Sequence, residues 1–227
     1  MSAESPPANP APAVSSPRPA QQRRGRPAKL SRPAILAAAV AMIDRDGADA
    51  LTMRALAGEL GVEAMSLYRH VEGRSALLDG VATQLMGEIE PRGASGDWAQ
   101  AVRGFASSVR GVAHKHPRAF ELVAARLMQG PGALRPVEDL LASLRGAGFT
   151  PARAIAAYRL VAAYTHGYTL CEISGFAFER EALAGVVDGR FPTVRSLARQ
   201  LAGEPAKGTF GAGLELLIAG LRAEGRQ

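Results

Sequence analysis

At 227 residues the chain is long enough to bury a substantial core, and a composition 47% hydrophobic but only 5% aromatic, rich in Ala and Leu, favours an all-α fold. The lone cysteine, Cys171, excludes an internal disulfide framework and a thiolate zinc cluster, and fits a reducing cytoplasm. Of the formal charge of +6, four units lie at the start of the chain, where Arg18, Arg23, Arg24, Arg26 and Lys29 face only Glu4, which suits a polyanionic partner.

Residues 1–30 are Pro, Ala and Ser with little to bury, and are expected to form a disordered basic arm. The arm lacks the apolar core of a signal peptide, and no run approaches the roughly 18 apolar residues of a membrane span, so neither export nor membrane insertion is expected. Order begins at Ser31, which caps a helix tolerant of Pro33 in its first turn; Ile35, Ala38, Ala39, Met42 and Ile43 form its apolar stripe, and Gly47 ends it in a left-handed conformation. Thr52 caps a second helix, Met53 to Leu60, which Gly61 stops. A third runs from Ala64 to His70, and a fourth starts near Arg74 with Leu77, Leu78, Val81, Leu85 and Met86 inward. The stretch EPRGASGD closes this unit, giving domains at residues 31–90 and 97–225.

Six further helices are expected: Trp98 to His114, Arg118 to Met128, Gly132 to Gly146, Pro151 to Phe178, Thr193 to Leu201 and Phe210 to Ala223. Thr150 and Pro151 give the longest its start, a cap followed by a first-turn proline. No alternating strand pattern and no internal repeat is found.

The segment LAGELGVEAMSLYRHV has the requirements of a helix-turn-helix: a small residue where the helices cross (Ala57), a residue free to take positive φ in the turn (Gly61), and locking apolar residues (Leu56, Leu60, Val62, Leu67, Val71). Its second helix is then available to a DNA major groove. The longer run LTMRALAGELGVEAMSLYRHVEGRSALLDGV resembles the DNA-binding domain of the TetR family of bacterial regulators, and the C-terminal part is more weakly similar to the tetracycline-repressor branch, in GDW, GF and FGAGLELLIAGL.

That resemblance implies a ligand-responsive repressor, released from a palindromic operator by a small molecule. It places Ala64, Met65 and Ser66 against bases, Tyr68 and His70 on phosphates or nearby base edges, Arg54 reaching DNA from the second helix, and Arg74 where the family usually has a lysine. An arginine at a helix N-terminus joins its fork to amide donors aimed at one phosphate. Arg69 is the side chain best able to read guanine if it faces the groove. Residues 31–74 are not basic overall, since Arg32, Arg45, Arg54, Arg69 and Arg74 meet Asp44, Asp46, Asp49, Glu59, Glu63 and Glu72. Affinity then leans on the arm, where Arg23 precedes Arg24-Gly25-Arg26-Pro27; this is either similar to the minor-groove core of AT-hook peptides or an unspecific basic tail.

A helix-turn-helix of this kind reads a half-site, so a homodimer is expected. Leu160, Ala163, Gly167, Leu170 and Ser174 form a small apolar face on the long helix, and Leu214, Leu217, Ile218 and Leu221 a stripe on the last; together these resemble the family's four-helix dimer interface. A second face of the long helix (Tyr158, Thr165, Tyr168, Glu172), with Phe105, His116, Phe120 and Met128, is the expected lining of an effector pocket. His116 falls near a histidine that the tetracycline branch uses for drug-bound magnesium, yet no histidine or asparagine lies between Leu77 and Trp98 and the chain's only asparagine is Asn9. No metal or cofactor is therefore expected, His116 with Pro117 reads as a helix start, and an apolar or aromatic effector is favoured over tetracycline. No nucleophile elbow, phosphate loop or paired metal-ligand histidines point to an enzyme. The remaining alternative is an architectural DNA-binding protein without an effector.

Overall fold

The computed structural model describes residues 30–90, 96–125, 131–175, 191–203 and 208–224. Among these all regular structure is helical: α1 (Arg32–Asp46), a 3₁₀ turn (Ala48–Ala50), α2 (Met53–Leu60), α3 (Ala64–Tyr68), α4 (Arg74–Gly87), α5 (Trp98–Lys115), α6 (Pro117–Ala125), α7 (Pro131–Gly146), α8 (Pro151–Ser174), α9 (Pro192–Leu201) and α10 (Thr209–Glu224). Met128 and Phe178, expected at the ends of two helices, lie outside the described residues, as does the arm with Arg23, Arg24 and Arg26.

Local chemistry sets the helix starts. Ser31 accepts from the Ala34 amide at 3.4 Å, Thr52 from Ala55 at 3.0 Å, Asp97 from Ala99 at 2.9 Å and Thr150 from Arg153 at 3.3 Å. Each satisfies one amide that the helix cannot, worth about 1 kcal/mol. Between α2 and α3, Gly61 sits in the left-handed region (φ 66°, ψ 32°), and the Val62 amide returns to the Ala57 carbonyl at 3.0 Å. A side chain there would be strained, so this glycine makes the sharp turn. Gly47 also has positive φ (89°), but its ψ of 163° carries the chain outward rather than into a left-handed cap.

The buried stripe of α1 is wider than the sequence spacing indicated, adding Leu36 and Val40 to Ile35, Ala39, Met42 and Ile43, while Ala38, expected on it, is only half-buried. Leu36 fits because α4 carries Gly80 opposite it: a Cβ at that position would lie 2.6 Å from Leu36 Cδ2. α4 then packs on α6 and α7 as well as α1, so the first four helices share a continuous core with the C-terminal body. There α8 lies against α5, α6, α7 and α10, around fully buried Phe105, Phe120, Leu140 and Val161.

Candidate nucleic-acid interface and effector site

The core holds α3 by Leu67, fully buried, and by Val71 just beyond it, 2% exposed. Truncating a leucine so enclosed costs about 2–5 kcal/mol, enough to release a helix of five residues. With Leu67 pinned, the helical period turns Met65 (72% exposed) and Tyr68 (47% exposed) to solvent, with Ala64 and Ser66 half-buried between them. The helix ends at Tyr68, earlier than expected, so Arg69 is its C-cap and His70 stands in the following turn, half-buried, its carbonyl accepting from Arg32 Nη1 at 3.0 Å.

Hydrogen bonding divides the five arginines of residues 31–74. Arg32 is bound to the His70 carbonyl, and Arg45 pairs with Asp46 and Glu59. Arg74 does not take the expected phosphate-facing position: its Nε donates to the Leu51 carbonyl at 2.8 Å and Nη2 to the Ala48 carbonyl at 2.7 Å. The Ala48 carbonyl also accepts the Leu51 amide at 3.2 Å within the 3₁₀ turn, so the guanidinium straps α4 to both ends of that turn, just ahead of α2. Arg54 and Arg69 remain, both exposed and without an ion pair or hydrogen-bonded side chain among the described residues. Arg54 stands on α2 and Arg69 at the end of α3, so the unspent positive charge lies on the helix-turn-helix.

His116 is not placed among the expected pocket residues but at the junction of α1, α4 and α5. It caps the end of α5, and its Nδ1 lies 2.6 Å from Asp44 Oδ2. Nε2 lies 3.3 Å from Glu88 Oε2 without hydrogen-bond alignment. Glu88 also binds Lys115 Nζ at 2.8 Å, Asp44 Oδ1 accepts from the Ala119 amide at 3.2 Å, and Arg118 Nη1 donates to the Arg45 carbonyl at 2.7 Å. The corner between α5 and α6 is thereby stitched to the end of α1 behind the reading head. A cleft of about 900 Å³, which the sequence did not signal, lies between α1 and α4 and is lined by Leu36, Asp79, Gly80, Thr83 and Gln84 together with Gly132.

Of the remaining pocket residues, Phe105, Phe120 and Thr165 are fully buried and Tyr158 is half-buried. Tyr158 meets Phe105 edge-on with ring centroids 6.3 Å apart, and burial raises its hydroxyl pKa. Tyr168 turns away from them, against Tyr164 (5.7 Å) and Phe210 (5.4 Å) at the start of α10. Glu172 is no free polar group: Arg110 grips it through two bonds of 2.7 and 2.9 Å, and His114 lies at 3.3 Å. The Arg110 hydrogen bonds hold this carboxyl below the ordinary range against the opposing effect of burial. The sequence reading missed His166, which stacks on Phe120 at 5.7 Å and whose pKa burial lowers, and Thr169, fully buried.

The expected dimer face is divided by the structure. On α8, Leu160 (52% exposed), Ala163 and Gly167 face outward with Ile155, as does Ser174, while Leu170 is half-buried. On α10 the expectation fails for Leu214, Ile218 and Leu221, which are buried in the chain's own core, with Leu217 half-buried. Phe210 begins that inward stripe, and Gly213 lets Tyr164 approach so closely that its hydroxyl reaches the Phe210 carbonyl at 2.7 Å. The outward face is Ala212, Leu216 (76% exposed) and Ala219. Among the described residues no cluster of metal-ligating side chains occurs and no helix is long and apolar enough to cross a membrane.

Two family models divide the chain between them: bacterial regulatory proteins, tetR family, over residues 35–81, and the tetracyclin repressor-like C-terminal domain over residues 90–224. An HTH-type transcriptional regulator of Saccharopolyspora erythraea is 35% identical over 216 residues, covering 91% of this chain and 90% of its own. The HTH-type transcriptional repressor DrrR1 of Streptomyces coeruleorubidus is 29% identical, over 87% of this chain and 79% of its own. Among solved structures, the TetR family protein ActR of Streptomyces coelicolor in complex with actinorhodin superposes with a TM-score of 0.75 at 29% identity, covering 87% of this chain and 97% of that one.

Proposed function

Because the chain belongs to the tetR family of bacterial regulatory proteins and is a helix-turn-helix transcriptional regulator, we propose that it works in the cytoplasm as a homodimeric repressor that a small, apolar or aromatic molecule releases from a palindromic operator. The observation that carries this reading is the distribution of charge on the helix-turn-helix. Three arginines are spent on the scaffold, whereas Arg54 on α2 and Arg69 at the end of α3 have no protein partner among the described residues and share the helix-turn-helix with an exposed Met65 and Tyr68.

In this reading Ala64, Met65 and Ser66 meet base edges, Tyr68 and His70 meet phosphate or neighbouring bases, Arg69 reads a base and Arg54 neutralises a phosphate. The dimer forms through Leu160, Ala163 and Gly167 of α8 and the Leu216 face of α10. Phe105, Phe120, Tyr158 and Thr165 line the effector site, and the arm adds salt-dependent affinity. A ligand favouring the conformation that fits DNA poorly weakens operator binding by the factor by which DNA weakens ligand binding. That ActR has been solved in complex with actinorhodin supports an effector-responsive regulator over a purely architectural role. Footprinting across the DNA flanking the protein's own gene tests the reading: one short palindromic protected segment supports it, and uniform coating overturns it.

A further inference from the structure

Two side chains of α8 donate to backbone carbonyls of α10: the Tyr164 hydroxyl to Phe210 at 2.7 Å, and Arg153 Nη2 to Leu221. The two pins are matched. Residues 153 and 164 stand about 16 Å apart along α8, and residues 221 and 210 the same distance apart along α10, at 1.5 Å per residue. The helices therefore run antiparallel, with one pin near each end of their contact. Apolar contacts are non-directional and tolerate sliding, but a donor aimed at a fixed carbonyl holds one register. A slip of one helical turn, about 5.4 Å, would break both pins at once.

Each pin carries a local penalty. With any side chain at Gly213, its Cβ would lie 2.2 Å from the Tyr164 hydroxyl oxygen, so the bond requires glycine inside a helix, where only proline is less favourable. Arg153 keeps its Nε buried without a partner while its guanidinium lies over the Phe149 ring, 4.2 Å from the centroid. The phenol is aimed by its surroundings. Tyr164 stacks on Phe210 with centroids 5.6 Å apart, and Phe210 is held in turn by Tyr168 at 5.4 Å and by the Arg110 guanidinium at 5.1 Å. Packing alone would favour alanine at 213 and an uncharged residue at 153, so what these departures maintain is the placement of α10 on α8.

The seam borders the outward surface. Around α8, Tyr164 lies about 40° from Leu160 and about 60° from Gly167; around α10, Gly213 lies about 60° from Leu216. Leu160, Ala163 and Gly167 form one exposed strip and Ala212, Leu216 and Ala219 a second, and the pins set how the two stand to each other. We propose that Arg153 and Tyr164, with Gly213, are positioning residues for dimerisation. They hold α8 and α10 at one crossing and register, so that both strips meet a second copy as a single face and fix the separation of the two reading heads. None of the three lies on the strips themselves; they act through Leu160, Gly167 and Leu216. The assignment rests on the dimer reading above and adds the residues that give that dimer one geometry.

Sedimentation of the full chain over a dilution series gives the dimer dissociation constant, and spin labels at Met65→Cys in a Cys171→Ser background give the distance between reading heads. Tyr164→Phe removes one hydroxyl and should raise the dissociation constant about fivefold, the equivalent of one ordinary hydrogen bond; Arg153→Met should do the same. The double variant should also broaden the head-to-head distance. Gly213→Ala should weaken the dimer while helical circular dichroism stays intact, because alanine suits the helix but displaces the phenol. Trimming the phenol in Gly213→Ala/Tyr164→Leu should recover part of that loss, a rescue that a general loss of stability would not give. Constants and distances equal to those of the unmodified chain in every pin variant, or a Tyr164→Leu change that only deepens the Gly213→Ala loss, overturn the pins; with a monomeric Leu216→Arg chain beside them, the dimer face still stands. A Leu216→Arg chain that dimerises as before removes the face, and the pins' role with it.

Discussion

Asp44 Oδ2 lies 2.6 Å from His116 Nδ1, and Oδ1 of the same carboxylate accepts the Ala119 amide at 3.2 Å, so one side chain of α1 both holds the end of α5 and caps α6. The pair is well shielded, with 22% of the Asp44 side chain and 14% of the His116 side chain exposed. Charge-assisted bonds in such a setting are stronger than surface ion pairs. Asp44→Ala is expected to lower stability to urea by about 1–2 kcal/mol. In a double-mutant cycle with His116→Ala, the coupling should be about 1 kcal/mol. Additive losses would show that the two side chains are merely neighbours.

Arg74 and Arg54 should separate stability from DNA binding. Arg74→Ala removes two bonds to backbone carbonyls and is expected to cost about 1–2 kcal/mol of stability while leaving the salt dependence of DNA binding unchanged. Arg54→Ala should leave the melting temperature nearly unchanged and reduce the log-log salt slope by about one. Thermal melts and DNA titrations at several salt concentrations check both. The opposite pattern would return Arg74 to a phosphate and make Arg54 a scaffold residue.

How much of this was legible in the sequence depended on the range of the interaction. The caps at Ser31, Thr52 and Thr150, the turn at Gly61 and the exposure of Met65 and Tyr68 follow from local chemistry and helical period, and all were readable. Arg74 was misread because its acceptors lie on residues 48 and 51; for His116 the helix start with Pro117 was legible, but its removal from the pocket was not, because Asp44 is 72 residues away. Periodicity names a stripe but not the neighbour it meets. On α10, apolar residues occur both on the Leu214 face and at Leu216, so the core stripe was mistaken for the outward one. His166 and Thr169 left no signal because a polar residue facing a core is distinguished only by burial.

The two faces of α10 give a direct comparison. Leu216→Arg changes a side chain that is 76% exposed, and should leave a folded protein that sediments as a monomer at concentrations where the unmodified chain is a dimer. Leu214→Arg forces an unpaired charge into the chain's own core, and should unfold it. Sedimentation with circular dichroism distinguishes the two. A Leu216→Arg protein that remains dimeric would move the interface elsewhere.

Burial holds the His166 imidazole below its ordinary value of 6.5, partly offset by the Ala162 carbonyl that faces its Nδ1. The unfolded chain then binds this proton more readily than the folded one. The stability linked to this group is complete above about pH 6.5 and lost as pH falls through that value toward the lower folded one. Thermal unfolding at about pH 7.5 and about pH 5.5 should show a smaller loss on acidification for His166→Gln than for the unmodified chain. An identical loss would show that the imidazole is already solvated.

Selection of bound sequences by the full chain from random duplex DNA tests most directly that two copies of α3 read DNA side by side. A two-fold symmetric consensus is expected, with half-site centres about one helical turn, roughly 10 base pairs, or a small multiple apart. A single unrepeated half-site, or no enrichment over the starting pool, would contradict it.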